Sequence, residues 1–407
     1  MTILLIASYY YPETIGSGVW IRQLALDLKA LGHHVTVLTT FPSYPHGRIF
    51  PDYRNRIYQR ENIDGMDVLR AFTYATPSKR FWPRIFSFGS FCVSSILVGL
   101  FAAPRTDVVY AILPPLPLGV SSWLLAKAAG ARLVVNVQDI YPDIAVALGM
   151  LRNRAAITFF ERMERWLYRR AQHIVVISKG FKRNLRAKGV ASGKIAVVPN
   201  WADHDLIAPS AGENQFRRDH CVGGNFLVVY SGGLTHNSHL DPVLEAAERL
   251  TGAPFQFLVI GEGVRKESLM RKANEKGLRN VRFLPFQPLP RYAESLTAAD
   301  ATLVTLHSAA TFASVPSKIY KQMAAARPII AIADRRSEVA RLIEDSGCGI
   351  CVGPEDVDGI VAALRRLAAQ REKAAQMGLA GRDYVTTVCA RSRCVAAIEQ
   401  ALAGVVG

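Results

Sequence analysis

The residues whose spacing carries the most chemistry lie late in the chain: Pro316, Ser317 and Lys318, followed one turn later by Lys321. A proline suited to a first helical turn, a hydroxyl at the cap position and an ammonium beside it would together meet a diphosphate. The positive end of a helix dipole, about half a charge, would add to the attraction. The alternative is a plain helix start with no ligand. Two glycine motifs stand earlier, Ser231-Gly232-Gly233 and Gly261-Glu262-Gly263, each directly after a short apolar run. Either could set backbone N–H groups against a phosphate or a base. Asp139, in the run Gln138-Asp139-Ile140-Tyr141-Pro142-Asp143, ends another apolar run and could hold a sugar hydroxyl or take its proton. It could equally cap the turn before Pro142. Gly16, Ser17 and Gly18 allow close backbone approach, but they stand far from the first apolar run and lack the third glycine of a dinucleotide fingerprint. That spacing argues against NAD and fits a lip over a cleft. Cys348 and Cys351 have metal or redox spacing, yet no second such pair or histidine pair accompanies them, so they read as buried structural thiols. No metal-ligand cluster is evident, and scattered free cysteines fit a reducing cytoplasm.

The elements that must position these residues alternate along the chain. Residues 2–8, 34–40, 107–112, 132–137 and 173–177 read as buried strands, and residues 20–31 as a helix ending at Gly32. After Pro199 the rhythm restarts, with strands at 225–230, 255–260, 281–283, 301–305 and 329–333 and helices at 241–250 and around 265–276. Such alternation predicts an α/β class, with parallel sheets covered on both faces. A chain of 407 residues is too long for one ordinary core, and 198–209, with Pro199, Asn200 and Pro209, suits a hinge between two domains. Ligands of open parallel sheets bind at the carboxyl ends of strands. The expected site is therefore a cleft between two such ends. The first eight residues lack a basic leader and read as a strand rather than a signal peptide.

With 49 Lys and Arg against 33 Asp and Glu, the net charge is +16, which points to anionic partners: nucleic acid, acidic lipid or phosphorylated substrate. Residues 85–103 are apolar and uncharged, long enough to span a bilayer. A crossing there would part strands that belong to one sheet, and Ser87, Ser90, Ser94 and Ser95 break up the apolar surface. A buried or half-inserted monotopic helix is the better reading. Lys79, Arg80 and Arg84 precede it, and Arg162, Arg165, Arg169 and Arg170 stand beside Trp166 and Tyr168 further on. Basic residues among aromatics suit an anionic membrane surface, the alternative being a solvated basic helix face. They form no recognisable nucleic-acid motif, so nucleic acid is not an expected partner.

Taken in order, several stretches resemble glycosyltransferase family 4, a retaining family of the GT-B fold, almost end to end. They are residues 8–13 with Gly16-Ser17-Gly18, residues 137–143, 175–179, 197–203, 259–263 and 283–288, and Pro316-Ser317-Lys318-Ile319-Tyr320. The forms at 138–143 and 316–318 are similar to a branch that builds bacterial O-antigen, capsule and colanic-acid repeat units, including N-acetyl-fucosaminyl- and fucosyltransferases. The resemblance implies two Rossmann-like domains facing across a cleft. Residues 1–198 would take the acceptor, 199–389 the nucleotide sugar, and 390–407 would form a helix returning to the first domain. It also implies a UDP- or GDP-sugar donor held by 231–233, 261–263 and 316–318, a lipid-linked glycan acceptor guided by Gly16–Gly18, and Asp139 and Lys318 as catalytic groups. No cofactor and no metal are expected, and the enzyme would sit peripherally at the inner face of the cell membrane. Two departures stand out. The family's paired glutamates fall at Ala313 and Lys321, and its usual arginine and lysine fall at Gly233 and near Ser238, so Lys318 and Lys321 must supply the positive charge. A sugar-nucleotide 2-epimerase shares the architecture, but no carboxylate pair is visible to serve it.

Overall fold

The structure, a computed structural model, describes residues 1–13, 17–78, 81–209, 214–220, 222–235, 238–312 and 314–406. The chain forms two compact units: Met1–Pro199 with the residues from Cys394 onward, and Asn200–Arg393.

The first unit is built on strands β1 (Thr2–Ile6), β2 (His34–Thr40), β3 (Tyr58–Ile63), β4 (Met66–Ala71), β5 (Val108–Leu113), β6 (Arg132–Val137), β7 (His173–Val176) and β8 (Ile195–Val197). They form one sheet in the order β3-β4-β2-β1-β5-β6-β7-β8, with only β3 antiparallel to its neighbour. Helices α1 (Gly18–Ala30), α2 (Phe81–Ala102), α3 (Leu116–Ala129), α4 (Asp143–Ala147), α5 (Arg154–Arg170) and α6 (Lys179–Ala187) connect them. Continuous apolar runs such as Val108–Leu113 are buried along their whole length, as a sheet covered on both faces requires. The β3–β4 hairpin was not foreseen, because Tyr58–Ile63 is a polar edge strand. Its turn is carried by Asp64 and Gly65, both at positive φ.

The second unit holds α7 (Gln215–Asp219) and strands β9 (Phe226–Ser231), β10 (Phe255–Ile260), β11 (Val281–Leu284), β12 (Ala301–Thr305), β13 (Ile329–Ile332) and β14 (Gly349–Val352). The sheet is wholly parallel, in the order β11-β10-β9-β12-β13-β14. Its other helices are α8 (Asp241–Arg249), α9 (Lys266–Glu275), α10 (Leu289–Ala298), α11 (Lys318–Ala324), α12 (Glu338–Ser346), α13 (Val357–Ala369) and α14 (Arg371–Thr387). Helix α15 (Arg391–Ala403) follows, and from Cys394 it packs with the first unit.

Candidate functional site

In the second unit the glycine motifs leave the carboxyl ends of β9 and β10 as two loops zipped together. Gly232 N–H donates to the Ile260 carbonyl, Leu234 N–H to the Glu262 carbonyl and Arg265 N–H to the Leu234 carbonyl, each at 2.9 Å. A Cβ on Gly261 would stand 1.9 Å from the Gly232 carbonyl oxygen, and one on Gly263 2.2 Å from that of Leu234. No side chain fits there, which is why both positions are glycine. Of the N–H groups that could meet a phosphate or base, some are taken up within the fold. Ser231 is the buried last residue of β9, and the Gly232 and Gly261 amides extend the sheet ladder, the latter to the Leu284 carbonyl at 2.9 Å. The Glu262 carboxylate is held by the Lys266 ammonium at 2.6 Å. The amides of Gly233, Glu262 and Gly263 donate to no acceptor among the described residues.

Lys318, the first residue of α11, lies against the first of these loops. Its Nζ is 3.3 Å from where a Gly232 Cβ would stand and 3.8 Å from the centre of the Tyr230 ring. The Tyr230 hydroxyl donates to the Gly233 carbonyl at 3.0 Å. A cation over an aromatic face is held without being neutralised, and among the described residues Lys318 has no carboxylate partner. Tyr230 is a residue that sequence reasoning missed, since nothing in a buried strand marks one aromatic as a lysine platform. Helix α11 is fixed by the buried Gln322 amide, which donates to the Leu303 carbonyl at 2.9 Å, and by Arg382 at its C-terminal end, donating to the Ala324 carbonyl at 2.5 Å.

Other expected members of the clamp fall differently. Pro316 precedes the helix rather than entering its first turn, and Ser317 occupies the cap position with helical backbone and no side-chain cap bond. A capping hydroxyl normally needs extended backbone to turn back on the helix, so the Ser317 side chain is left exposed. The Lys321 ammonium lies 5.4 Å from the Tyr292 ring of α10, and burial pushes its pKa down. Ser238 is buried, and its hydroxyl donates to the Gly233 carbonyl while accepting from Thr235 N–H at 3.0 Å.

In the first unit Asp139 lies two residues past the end of β6 and is half-buried. Helix α4 begins at Asp143, and its cap residue Pro142 makes no side-chain cap bond. Asp143 instead anchors the segment: it accepts from the Asn184 amide at 3.0 Å and from Lys188 Nζ at 2.7 Å. The same ammonium donates to both oxygens of Glu164, at 2.9 and 2.8 Å. Burial pushes the Glu164 carboxyl up to about 6, against the pull of Lys188. Past β1, the buried Glu13 carboxylate accepts the Ser43 and Tyr44 amides, each at 2.8 Å, and burial raises its pKa. Gly18 opens α1 where a Cβ would meet the Glu13 carbonyl oxygen at 2.6 Å, and Ser17 precedes it with no side-chain cap bond. Gly16 lies outside the described residues, as do Lys79, Arg80 and Ala313.

These strand-end loops sit in a chain with clear relatives. Residues 16–201 match the family described as Glycosyl transferase 4-like domain, and residues 213–384 that described as Glycosyl transferases group 1. The chain is 30% identical over 375 residues to the putative colanic acid biosynthesis glycosyl transferase WcaI of Escherichia coli strain K12, covering 90% of this chain and 92% of that one. It belongs to glycosyltransferase family 4. Among solved structures, a sucrose-phosphate synthase from Thermosynechococcus elongatus is similar over 99% of this chain and 98% of its own, with a TM-score of 0.78 and 16% identity. Anabaena HepE, solved in complex with UDP, is similar over 99% and 100% of the two chains, with a TM-score of 0.74 and 14% identity. At such identities the likeness is one of fold, and the fold of this glycosyltransferase is GT-B. The family 4 transferase thus carries its glycine loops in the second unit with a lysine over a tyrosine beside them.

Proposed function

We infer that this glycosyltransferase moves a sugar of the N-acetyl-fucosamine or fucose kind from a UDP- or GDP-sugar to a lipid-diphosphate-linked or other glycan acceptor, with retention of configuration, in building a surface polysaccharide such as O-antigen or capsule. The kinship with a relative named for colanic acid biosynthesis supports the pathway class. The observation that carries the donor side is the Lys318 ammonium beside Gly232 and over Tyr230, on loops whose Gly233, Glu262 and Gly263 amides donate to no acceptor among the described residues. Breaking the sugar–phosphate bond leaves charge on the departing diphosphate, and a fixed cation with preoriented N–H groups stabilises charge that develops in the transition state. In this reading residues 199–389 take the nucleotide sugar, with Ser231, Pro316, Ser317 and Lys321 framing the loops. Residues 1–198 take the acceptor, with Ser17, Gly18 and Asp139 on that side, and 390–407 are the returning helix. The reaction needs no metal, and the enzyme works in the cytoplasm against an anionic membrane surface, with no part for nucleic acid.

Lys318→Ala is the test. Turnover should collapse while the melting temperature holds, and undiminished turnover would remove Lys318 from the chemistry. A thermal-shift screen against UDP- and GDP-sugars identifies the nucleotide, because a ligand that binds only the folded state raises its melting point. Addition of EDTA should leave turnover unchanged.

A further inference from the structure

The connections β4→β5, β5→β6 and β6→β7 all run the same way along the sheet of the first unit, whereas β1→β2 runs the opposite way. Right-handed crossovers therefore place α2, α3 and α5 on one face and α1 on the other. Helix α2 packs on α3, and α3 on α5, so the three form a continuous layer.

The serines of α2 define its inner side. The Ser94 hydroxyl donates to the Phe72 carbonyl at 2.6 Å, Ser90 Oγ accepts from Tyr74 N–H at 2.8 Å, and the Ser121 hydroxyl of α3 reaches the Cys92 carbonyl at 2.9 Å. Ile85–Ala102 is long and apolar enough to cross a membrane, with a mean hydropathy of 2.0. With one side bonded to its own unit, α2 lies on the sheet instead of crossing. Its outer side carries Phe86, Val93, Leu97, Leu100 and Phe101, each at least half exposed and Phe101 88% exposed. At about 100° per residue these five fall within an arc of roughly 100°. A contiguous apolar stripe of this size on a soluble surface marks a place of contact.

What lies beside the stripe decides the partner. The α5 residues Arg154, Thr158, Phe159 and Arg162 line a shallow hollow. Among the described residues Arg154, Arg162, Arg165 and Arg169 have no carboxylate partner. Between the two helices Trp123 and Trp166 meet edge to face at 4.9 Å, with Lys127 and Arg170 over their rings. An apolar stripe, indole rings and unpaired arginines in one layer match the successive depths of an anionic leaflet: acyl chains, interface and phosphate headgroups.

We propose that the outer face of α2, α3 and α5 is the membrane-docking surface, with the α2 stripe buried to acyl depth and the α5 arginines on acidic headgroups. This rests on the reading of a membrane-borne acceptor and assigns the surface that meets the bilayer. The test is flotation of the full chain with vesicles of phosphatidylcholine, alone or with phosphatidylglycerol, alongside release of nucleotide from the donor in vesicle-free solution. Wild type should float with the acidic vesicles and lose binding as salt rises. Leu97→Ser with Phe101→Ser should abolish flotation, and Arg154→Gln with Arg162→Gln and Arg165→Gln should weaken it about fivefold per arginine. All variants should release nucleotide as wild type does. Wild type that does not float, variants that float equally well, or a dimer dispersed by the α2 substitutions would each overturn the assignment. Loss of nucleotide release by wild type would instead count against the transferase reading.

Discussion

The two units share a parallel sheet covered by helices, yet their charge is distributed very differently. The first carries 25 Lys and Arg against 12 Asp and Glu, the second 24 against 21, so nearly all of the net +16 resides in the first. In the second unit many cations are paired, as in Arg265 with Asp241, Lys276 with Glu248 and Arg291 with Asp219. Lys318 stands apart there, held over the Tyr230 ring beside Gly232 and with no carboxylate partner among the described residues. In the first unit four arginines of α5 have no carboxylate partner among the described residues, while Lys188 closes Asp143 and Glu164 into one network. On the proposed reading one architecture serves two purposes: the near-neutral unit concentrates charge at one point for chemistry, and the basic unit spreads it over a surface for attachment.

The sharpest way to break that contrast is to open a closed network in the first unit. Lys188→Met strands Glu164, 1% exposed, and leaves Asp143 to Asn184 alone. Removing one partner of a buried pair costs about 3–5 kcal/mol, which thermal or denaturant unfolding would register. Unchanged stability would mean the network does not hold the Asp139–Asp143 segment. Next in size is Lys318→Ala in the second unit. It should lower kcat about 10²–10³-fold, the usual cost of one transition-state donor, without lowering the melting temperature. A third substitution, Gly261→Ala, sets a methyl 1.9 Å from the Gly232 carbonyl oxygen. It should cost about 3 kcal/mol through overpacking and also weaken the thermal shift given by the nucleotide sugar. A fully stable variant would show that the two loops are free to part.

Much of this was legible in the sequence. The strands β2, β6 and β10 were foreseen at their observed bounds, because short runs rich in Val, Leu, Ile and Phe mark strands buried on both faces. The edge hairpin of β3 and β4 was not, since a solvated strand can be as polar as Tyr58–Ile63. The glycines at 232, 261 and 263 were found by type; that a Cβ at 261 or 263 would strike the backbone of the neighbouring loop is a packing demand that spacing alone does not reveal. The serine-studded helix was expected to be buried or half-inserted rather than to cross. That Ser90 and Ser94 bond inward, leaving an unbroken apolar stripe outside, depends on helix rotation, which only the packed structure fixes.

The subtlest difference between the units is in pH response, and Glu164 isolates it. Burial lifts this carboxyl from its ordinary 4.5 to about 6, more than Lys188 can offset. A carboxyl raised on folding contributes stability that is complete below about pH 4.5 and is lost as pH rises through about 6. The linkage is worth up to about 2 kcal/mol. Glu164→Gln removes the titration but keeps the shape. The stability of wild type relative to this variant should therefore decline from pH 4.5 to above 6 and then level off. The second unit offers a control of opposite sign, because Asp241 between Arg265 and Lys272 has its pKa lowered. Wild type relative to Asp241→Asn should gain stability as pH rises from the acid side. Equilibrium unfolding of the two variants from below pH 3.8 to above 6 reads both slopes, and a flat wild-type-minus-Glu164→Gln difference would show that the carboxylate stays ionised against Lys188 throughout.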